Sequence, residues 1–393
     1  MTDDKRRNPV LPCLLTIGLA ALWTLPFLKV APNRLVSGQP VYFFAIAPVH
    51  VLALLAVLIA AVVGHFFRPA RSWLLLAMFA AAATMATLLW LAGSQATTSL
   101  QSQTPIARVA LGSAFWVAVS LLGFGLSSTL EQLRASLLQA LAMWAMVLLA
   151  VVSLVAISVC ADLSLAKEYA NQSGGFVAVI GRHLQIVLLV MAFTLAIGLP
   201  LAWAAYWRPG LGRAVFAMLN IVQTIPSIAL FGVLMLPLAL LAASVPSLGR
   251  AGISGVGLAP AVIALTLYGL LPVVRSTLIG LQQVSNSMAG AAFALGLTRW
   301  QVLRAIELPL ALPIMLTGVR TAAVATVGMA AVSALIGAGG LGGILFEGLF
   351  SNAQDLVLLG VLPIIALGIA IDVLFRLLTA WASEKAKVKA SWC

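Results

Sequence analysis

The sequence predicts an all-α polytopic membrane protein with about ten transmembrane helices. Of its 393 residues, 63% are hydrophobic and only 8% are charged, whereas soluble globular proteins carry about 25% charged residues. Apolar runs of the length that crosses a bilayer, about 20 residues, recur along the whole chain. These observations exclude a soluble globular fold, because a chain of this size could not bury so much apolar surface.

The apolar runs give the expected spans in chain order. The first set is Leu11–Leu28, Val41–Gly64, Trp73–Ala92, Val109–Leu126 and Leu137–Cys160. The second set is Leu184–Trp207, Ala214–Ala242, Leu258–Leu281, Leu310–Ile336 and Leu356–Trp381. The longer segment between the sets, Ala161–His183, is expected to lie outside the membrane. We therefore divide the chain into an N-terminal five-span extension, residues 1–183, and a second five-span part, residues 184–393.

Lysine and arginine are unevenly distributed between the two sides of this arrangement. Most of the 22 lie at span ends that share a side with both termini, among them Arg71, Arg134 and Arg213. The positive-inside rule places that side in the cytoplasm, together with Ser285–Pro309 and a basic C-terminal tail. The net charge of +12 reflects this bias. Because no basic stripe is interleaved with polar residues, nucleic acid is not expected as a partner.

The sequence contains no recognisable catalytic, metal or nucleotide site. Its cysteines and histidines are isolated and form no Cys-x-x-Cys pair, so neither a metal site nor a disulfide between Cys13 and Cys160 is expected. No lysine follows a glycine, so the phosphate-binding loop of ATPases is absent. We therefore expect a protein that is not an enzyme and that carries no cofactor of its own.

The stretch Ser285–Pro309 is the most informative part of the chain. Small residues predict a short helix as far as Leu295, and Gly296 follows where a helix end favours a left-handed residue. A Thr-x-x-Gln capping box then opens a second short helix, which Pro309 is expected to end because proline lacks a backbone donor. The face Ala289–Ala292 has almost no side-chain bulk, so another protein could approach it closely.

This stretch resembles the EAA loop of ABC-importer permeases, which docks into the ATPase. The family pattern is Glu-Ala-Ala, three residues, Gly, nine residues, Ile, one residue and Leu-Pro. Gly290 departs from it, because the family has glutamate there, and glycine costs about 0.5–1 kcal/mol of helix stability relative to alanine. The resemblance implies an ATPase-coupling set comprising Gly290, Ala291, Ala292, Gly296, Arg299, Leu308 and Pro309.

The resemblance extends over most of the chain. Residues 184–393 are similar to the five-span core of type I ABC-importer permeases. The segments Ala31–Gly38, Leu111–Trp116 and Ser164–Asn171 resemble osmoprotectant permeases of the glycine betaine, choline and proline class, of the ten-span YehY type. This implies an inner-membrane transport subunit that works with a cytoplasmic ABC ATPase, which binds the ATP, and with an extracytoplasmic solute-binding protein. A second permease copy, or a related permease, is expected to complete the dimer.

Two rival functions stay open at this point. A permease of the same fold could carry other small solutes, such as amino acids or sulfonates. An ion-coupled secondary transporter would instead act alone. The coupling stretch and the absent phosphate-binding loop favour a subunit that depends on a separate ATPase.

Two interruptions of the apolar runs are candidates for a translocation path or gate. Polar residues and a proline within Ala214–Ala242 predict either a satisfied kink or a lining of the path, and the charge bias allows only one crossing there. A Gly-x-Gly-x-x-Gly run follows a span rather than a strand, so it is not a dinucleotide site but a turn or gate. The candidate residues are Gln223, Thr224, Pro226, Ser227, Gly337, Gly339, Gly340 and Gly342.

Two charges are predicted inside spans, at similar depth. Arg320 lies in the ninth span and Asp372 in the tenth. A charge within a membrane span is costly and usually finds a partner, so we expect an Arg320–Asp372 pair. A role in the solute pathway, or pairing of Asp372 with Arg376 four residues further on, are the alternatives.

Overall fold

The protein is described by a computed structural model that covers residues 9–33, 36, 38–101, 103, 104, 106–250, 252–283 and 286–390. The chain forms two compact units, Met1–Asn171 and Gln172–Cys393. The predicted division after His183 therefore falls within the second unit, inside a helix that begins at Ser164.

The first unit combines helices with a small sheet. Its helices are α1 (Val10–Thr24), α2 (Phe43–Ile46), α3 (Val49–Phe67), α4 (Arg71–Leu100), α5 (Ser113–Gln132), α6 (Leu137–Ala156) and the start of α7 (Ser164–Trp207). Its strands are β1 (Pro26–Ala31), β2 (Gln39–Tyr42) and β3 (Arg108–Leu111). Both outer strands pair with β1 in the antiparallel sense, which gives the order β2-β1-β3.

The sheet corrects the expectation that this unit contains only helices. The predicted span Leu11–Leu28 is helical only as far as Thr24, because Pro26 cannot donate the next helical hydrogen bond. Phe27 of β1 is fully buried. Its ring makes edge contacts with Phe43 and Phe115, with centroids 5.4 and 5.9 Å apart. These aromatic contacts fasten the sheet to α2 and α5.

Within its described residues, the second unit contains helices and connecting turns but no strand. After the rest of α7 come α8 (Pro209–Thr224), α9 (Ser227–Ser244), α10 (Pro246–Arg250), α11 (Leu258–Gln282), α12 (Asn286–Ala294) and α13 (Arg299–Val302). A π-helical turn (Leu303–Glu307) leads into α14 (Leu308–Val332), and a 3₁₀ turn (Ser333–Ile336) is followed by α15 (Leu341–Phe350) and α16 (Gln354–Ala390).

Small residues hold the core of the second unit together. Ala261, Ala264, Ala322 and Ala330 are almost completely buried where α11 packs against α14. A side chain at Gly318 would collide with Ser276 and with the backbone of Pro272. The two helices therefore approach closely because the contact positions carry little bulk, as is common within membranes.

Within the described residues, nine helices are long and apolar enough to cross a membrane. The first predicted span, Leu11–Leu28, is not among them, because it corresponds to α1, which has only 15 residues. The segment Ala161–His183, which the sequence predicts to lie outside the membrane, is helical from Ser164 onwards. That stretch is polar but contains no proline, so nothing in it prevents the helix from starting early.

Candidate functional site

The coupling segment, residues 285–309, contains the helix end that its glycine predicts. At the end of α12, the backbone N–H of Leu297 donates to the carbonyl of Ala292 and that of Gly296 to Phe293, which is the Schellman arrangement. Gly296 has φ +83°, a value that glycine adopts without strain. The predicted hinge is therefore present; Ser285 lies outside the described residues.

The capping box at the start of α13 is also confirmed. The backbone N–H of Gln301 donates to Thr298 Oγ1 at 3.4 Å, and the N–H of Thr298 donates to Gln301 Oε1 at 2.8 Å. These bonds satisfy donors that a helix start otherwise leaves unpaired. Together with the hinge at Gly296, they fix the angle between α12 and α13.

The exposed face of α12 is narrower than predicted. Gly290 and Ala291 are exposed, and nothing lies within 4 Å of the place where a side chain of Gly290 would begin. Ala292 is only 4% exposed, so it packs inward and does not belong to the accessible face. The side chain of Ala289 lies outside the described set. The surface open to a partner is therefore centred on Gly290 and Ala291.

Pro309 does not end the second helix, contrary to the prediction. It lies in the first turn of α14, and the backbone stays helical from Arg299 through the π-helical turn into α14. A proline is tolerated in a first turn. The wider π-helical turn before it changes the register of the hydrogen bonds.

An aromatic clasp fastens the coupling segment to the end of α7. The rings of Trp203 and Trp300 stack with centroids 5.4 Å apart and planes 3° from parallel. The guanidinium of Arg299 lies 5.2 Å from the ring centre of Trp207, within cation–π range. Sequence reasoning missed this clasp.

A hydrogen bond extends the clasp toward α14. Tyr206 Oη donates to Glu307 Oε1 at 3.3 Å, and the Glu307 side chain is buried. Tyr206 lies three residues after Trp203 and so shares its face of α7. The spacing of aromatic residues at the end of α7 was the signal that could have revealed the clasp.

The polar break in the seventh predicted span is a short helix followed by a span. Ile225 is extended and Pro226 caps α9. Because Pro272 inside α11 lacks an N–H, the carbonyl of Tyr268 loses its usual helical donor, and Gln223 Nε2 donates to it at 2.8 Å. In return, Tyr268 Oη donates to the carbonyl of Ile225. These contacts are those of a satisfied kink.

The exposure of the candidate path residues in this break is consistent with both interpretations of the sequence, a satisfied kink and a lining of the path. Gln223, Thr224 and Pro226 are exposed, and Ser227 is half-buried. Tyr268 is mostly buried. The break is thus held from inside by Tyr268 and presents polar groups on its outer face.

The glycine-rich run forms a loop that α7 holds in place. Gly337, Gly339 and Gly340 all have positive φ near +82°, which other residues rarely adopt. Arg182 Nε donates to the carbonyl of Ala338 at 2.9 Å. A side chain at Gly342 would collide with the backbone of Ala331, so glycine allows α15 to approach α14.

Asp372 is bonded by two arginines. Arg320 Nη2 lies 2.5 Å from Asp372 Oδ1, and Arg376 Nε lies 2.8 Å from Oδ2. The structure therefore combines the two pairings that the sequence offered as alternatives. One carboxylate faces two guanidinium groups, so the group carries a net positive charge.

Comparison with known proteins places these features in a family. Residues 6–166 match the family model described as the N-terminal domain of the ABC transporter permease YehY. Residues 194–384 match the inner membrane component of binding-protein-dependent transport systems. OpuCD, the glycine betaine/carnitine/choline transport system permease protein of Bacillus subtilis (strain 168), is 32% identical over 228 residues, which cover 57% of this chain and 92% of that protein. The chain belongs to the ABC-transporter permeases.

A second curated relative agrees with this assignment. The permease is 37% identical over 219 residues to the osmoprotectant import permease protein OsmW of Salmonella typhimurium, covering 56% of this chain and 97% of that protein. A solved chain of the inward-facing MetNI methionine ABC transporter is 25% identical, with a TM-score of 0.44, and the match covers 52% of the permease and 97% of that chain.

The structure brings some of the predicted site residues of the permease together and leaves others apart. Arg320 and Asp372 are in direct contact, and the coupling residues lie on consecutive elements from α12 to α14. Leu308, at the start of α14, is partly exposed, while Arg299 is engaged by Trp207. Tyr206 and Trp300, which sequence reasoning did not select, connect this segment to α7.

Proposed function

We propose that the permease is the membrane subunit of an importer for osmoprotectants such as glycine betaine, choline or carnitine. A binding protein outside the membrane delivers the solute, and a separate cytoplasmic ATPase supplies the energy. The observation that carries this proposal is the exposed Gly290–Ala291 face of α12, which precedes the Gly296 hinge and the Thr298 cap. The names of the curated relatives support the class of solute.

The clasp provides a route from the docking face to the spans. Movement of α12 passes to α13 through a short connection that the Gly296 turn and the Thr298 cap hold in place. From α13 it reaches α14 along the continuous helix and α7 through the Trp203–Trp300 stack. Docking at one surface would therefore move both α14 and α7, as expected for a subunit that a separate ATPase drives.

We further propose that the polar break and the glycine-rich loop border the solute path. Gln223 and Thr224 present polar side chains beside a helix interruption, and residues 337–340 are irregular backbone. Such backbone is tolerated at membrane depth where it lines a cavity. A second permease copy would complete the path.

Uptake into vesicles tests the proposed function. The permease is reconstituted into vesicles together with its partner ATPase and the binding protein. Labelled glycine betaine should then accumulate inside only when ATP is supplied to the ATPase. Omission of either partner should reduce uptake to that of protein-free vesicles, because the permease has no energy source of its own. Methionine serves as the control solute. Accumulation of methionine but not of glycine betaine would favour the rival solute class, and uptake driven by an ion gradient without ATPase would favour a secondary transporter.

The proposed orientation has its own test. Reporter fusions in turns after Arg134 and Gln283 are expected to report cytoplasm, and fusions after Ser158 and Ser351 the outside, because the positive-inside rule places the arginine-rich ends in the cytoplasm. Reporter activity in whole cells measures the side directly. If fusions after Arg134 and Ser158 reported the same side, α6 would not cross the membrane.

A further inference from the structure

A groove in the first unit is lined by none of the residues assigned above to coupling or to the solute path. One face of α4, with Arg71, Leu75 and Phe79, forms one wall, and one face of α6, with Ala142 and Met146, forms the other. The end of α5 closes it, and the groove encloses about 780 Å³ of empty space, part of it open to the outside. We call it the α4–α6 groove.

The groove is apolar along its length and charged only at one end. Arg71 is the first residue of α4, so it lies where that candidate span begins. From Arg71 to Phe79 a helix rises about 12 Å, which is close to the roughly 15 Å hydrocarbon depth of one leaflet. The groove therefore runs from headgroup level into the apolar layer.

The charges at this end favour an anion. Arg68 lies in the connection between α3 and α4, and Arg134 lies in the connection between α5 and α6. Both are at the same end of the helices as Arg71, and Glu131 is the acidic residue there. Within the described residues, Arg71 makes no ion pair with a carboxylate. The positive excess is thus available to a negative group at the mouth of the groove.

The walls favour a flexible apolar occupant. Met143 and Met146 contribute unbranched side chains that adapt to irregular partners. Gln139, the polar residue near the mouth, already bonds the backbone of Ser136. An extended peptide inserted here would leave backbone groups unsatisfied in the apolar layer, whereas an acyl chain would leave none.

We infer that the α4–α6 groove binds an anionic phospholipid. One acyl chain lies between α4 and α6, and the phosphate group lies at Arg71. This site shares no residue with the coupling segment and does not depend on the solute that the permease carries.

Native mass spectrometry of the detergent-purified permease tests the site, with phosphatidylglycerol and phosphatidylcholine of the same acyl chains as probes. The wild type should retain phosphatidylglycerol in preference. Arg71→Gln should weaken that retention about fivefold, the effect of one surface cation on anionic lipid, while Arg71→Lys preserves it. Arg250→Gln, in the second unit, should change nothing.

A matched pair of tryptophans tests the groove itself. Ala142 lines the groove and Ala145, on the same helix, does not, and both are exposed. Ala142→Trp should remove retention of both lipids by filling the space, whereas Ala145→Trp should leave it intact; the elution profile reports folding of each variant. Equal retention in the two variants, or equal retention of the two lipids by the wild type, would overturn the inference. A change of oligomeric state in Ala142→Trp with lipid retention intact would instead identify an interface between copies.

Discussion

Replacing Ala291 with tryptophan is expected to abolish binding of the ATPase while membrane insertion of the permease stays normal. Ala291 is exposed on the accessible face of α12, beside Gly290, whose surroundings are open. An indole there keeps the docking surfaces apart, and the rest of the fold does not contact it. The measurement is the amount of ATPase pulled down by tagged permease in detergent, together with solute uptake in vesicles.

Two variants of α12 serve as controls for this experiment. Gly290→Glu restores the charge that the family carries at this position and has room to do so, so it should keep or strengthen ATPase binding. Phe293→Trp enlarges a different face of α12 and should leave binding unchanged. Uptake that persists in Ala291→Trp without bound ATPase would contradict the ABC mechanism. Loss of binding in Gly290→Glu would show that this docking site has adapted to glycine.

Removal of Asp372 is expected to lower the amount of folded permease more than removal of either arginine. Asp372→Leu leaves both Arg320 and Arg376 without their carboxylate, whereas Arg320→Leu leaves Asp372 bonded to Arg376. The cost of Arg320→Leu should therefore stay below the about 3–5 kcal/mol of breaking a fully buried pair. The peak height in fluorescence-detected size-exclusion chromatography reports the folded amount.

The double variant tests whether the charges act as a group. Arg320→Leu combined with Asp372→Leu should recover much of the folded protein that Asp372→Leu loses, because Arg376 is more than half exposed and can reach the polar interface. Arg376→Leu alone should have the smallest effect. Additive losses in the double variant would contradict a shared role for the pair.

Local sequence signals predicted the parts of the site that depend on local chemistry. The Thr298–Gln301 cap and the left-handed Gly296 follow from residue types at fixed spacing, and both are confirmed. The Arg320–Asp372 contact could be expected because charges within spans need partners. The expectation for Pro309 was wrong. This proline falls in the first turn of α14, where a residue without a backbone N–H is tolerated.

Contacts between distant parts of the chain could not be predicted in the same way. The reciprocal bonds of Gln223 and Tyr268 depend on a carbonyl that Pro272 frees in another helix. The clasp joins residues about a hundred positions apart, as the Tyr206–Glu307 bond shows. The sheet in the first unit also depends on pairing across the chain, and apolar composition alone made its strands indistinguishable from span ends.

The π-helical turn Leu303–Glu307 determines how α13, near the docking surface, is rotated about the helix axis relative to α14, the following span. Each residue of an α-helix advances the direction of its side chain by about 100°. A turn with one residue fewer would rotate Arg299 and Trp300 by about that angle relative to α14, away from Trp207 and Trp203. The length of the turn, more than any side chain within it, thus determines which face of α13 meets α7.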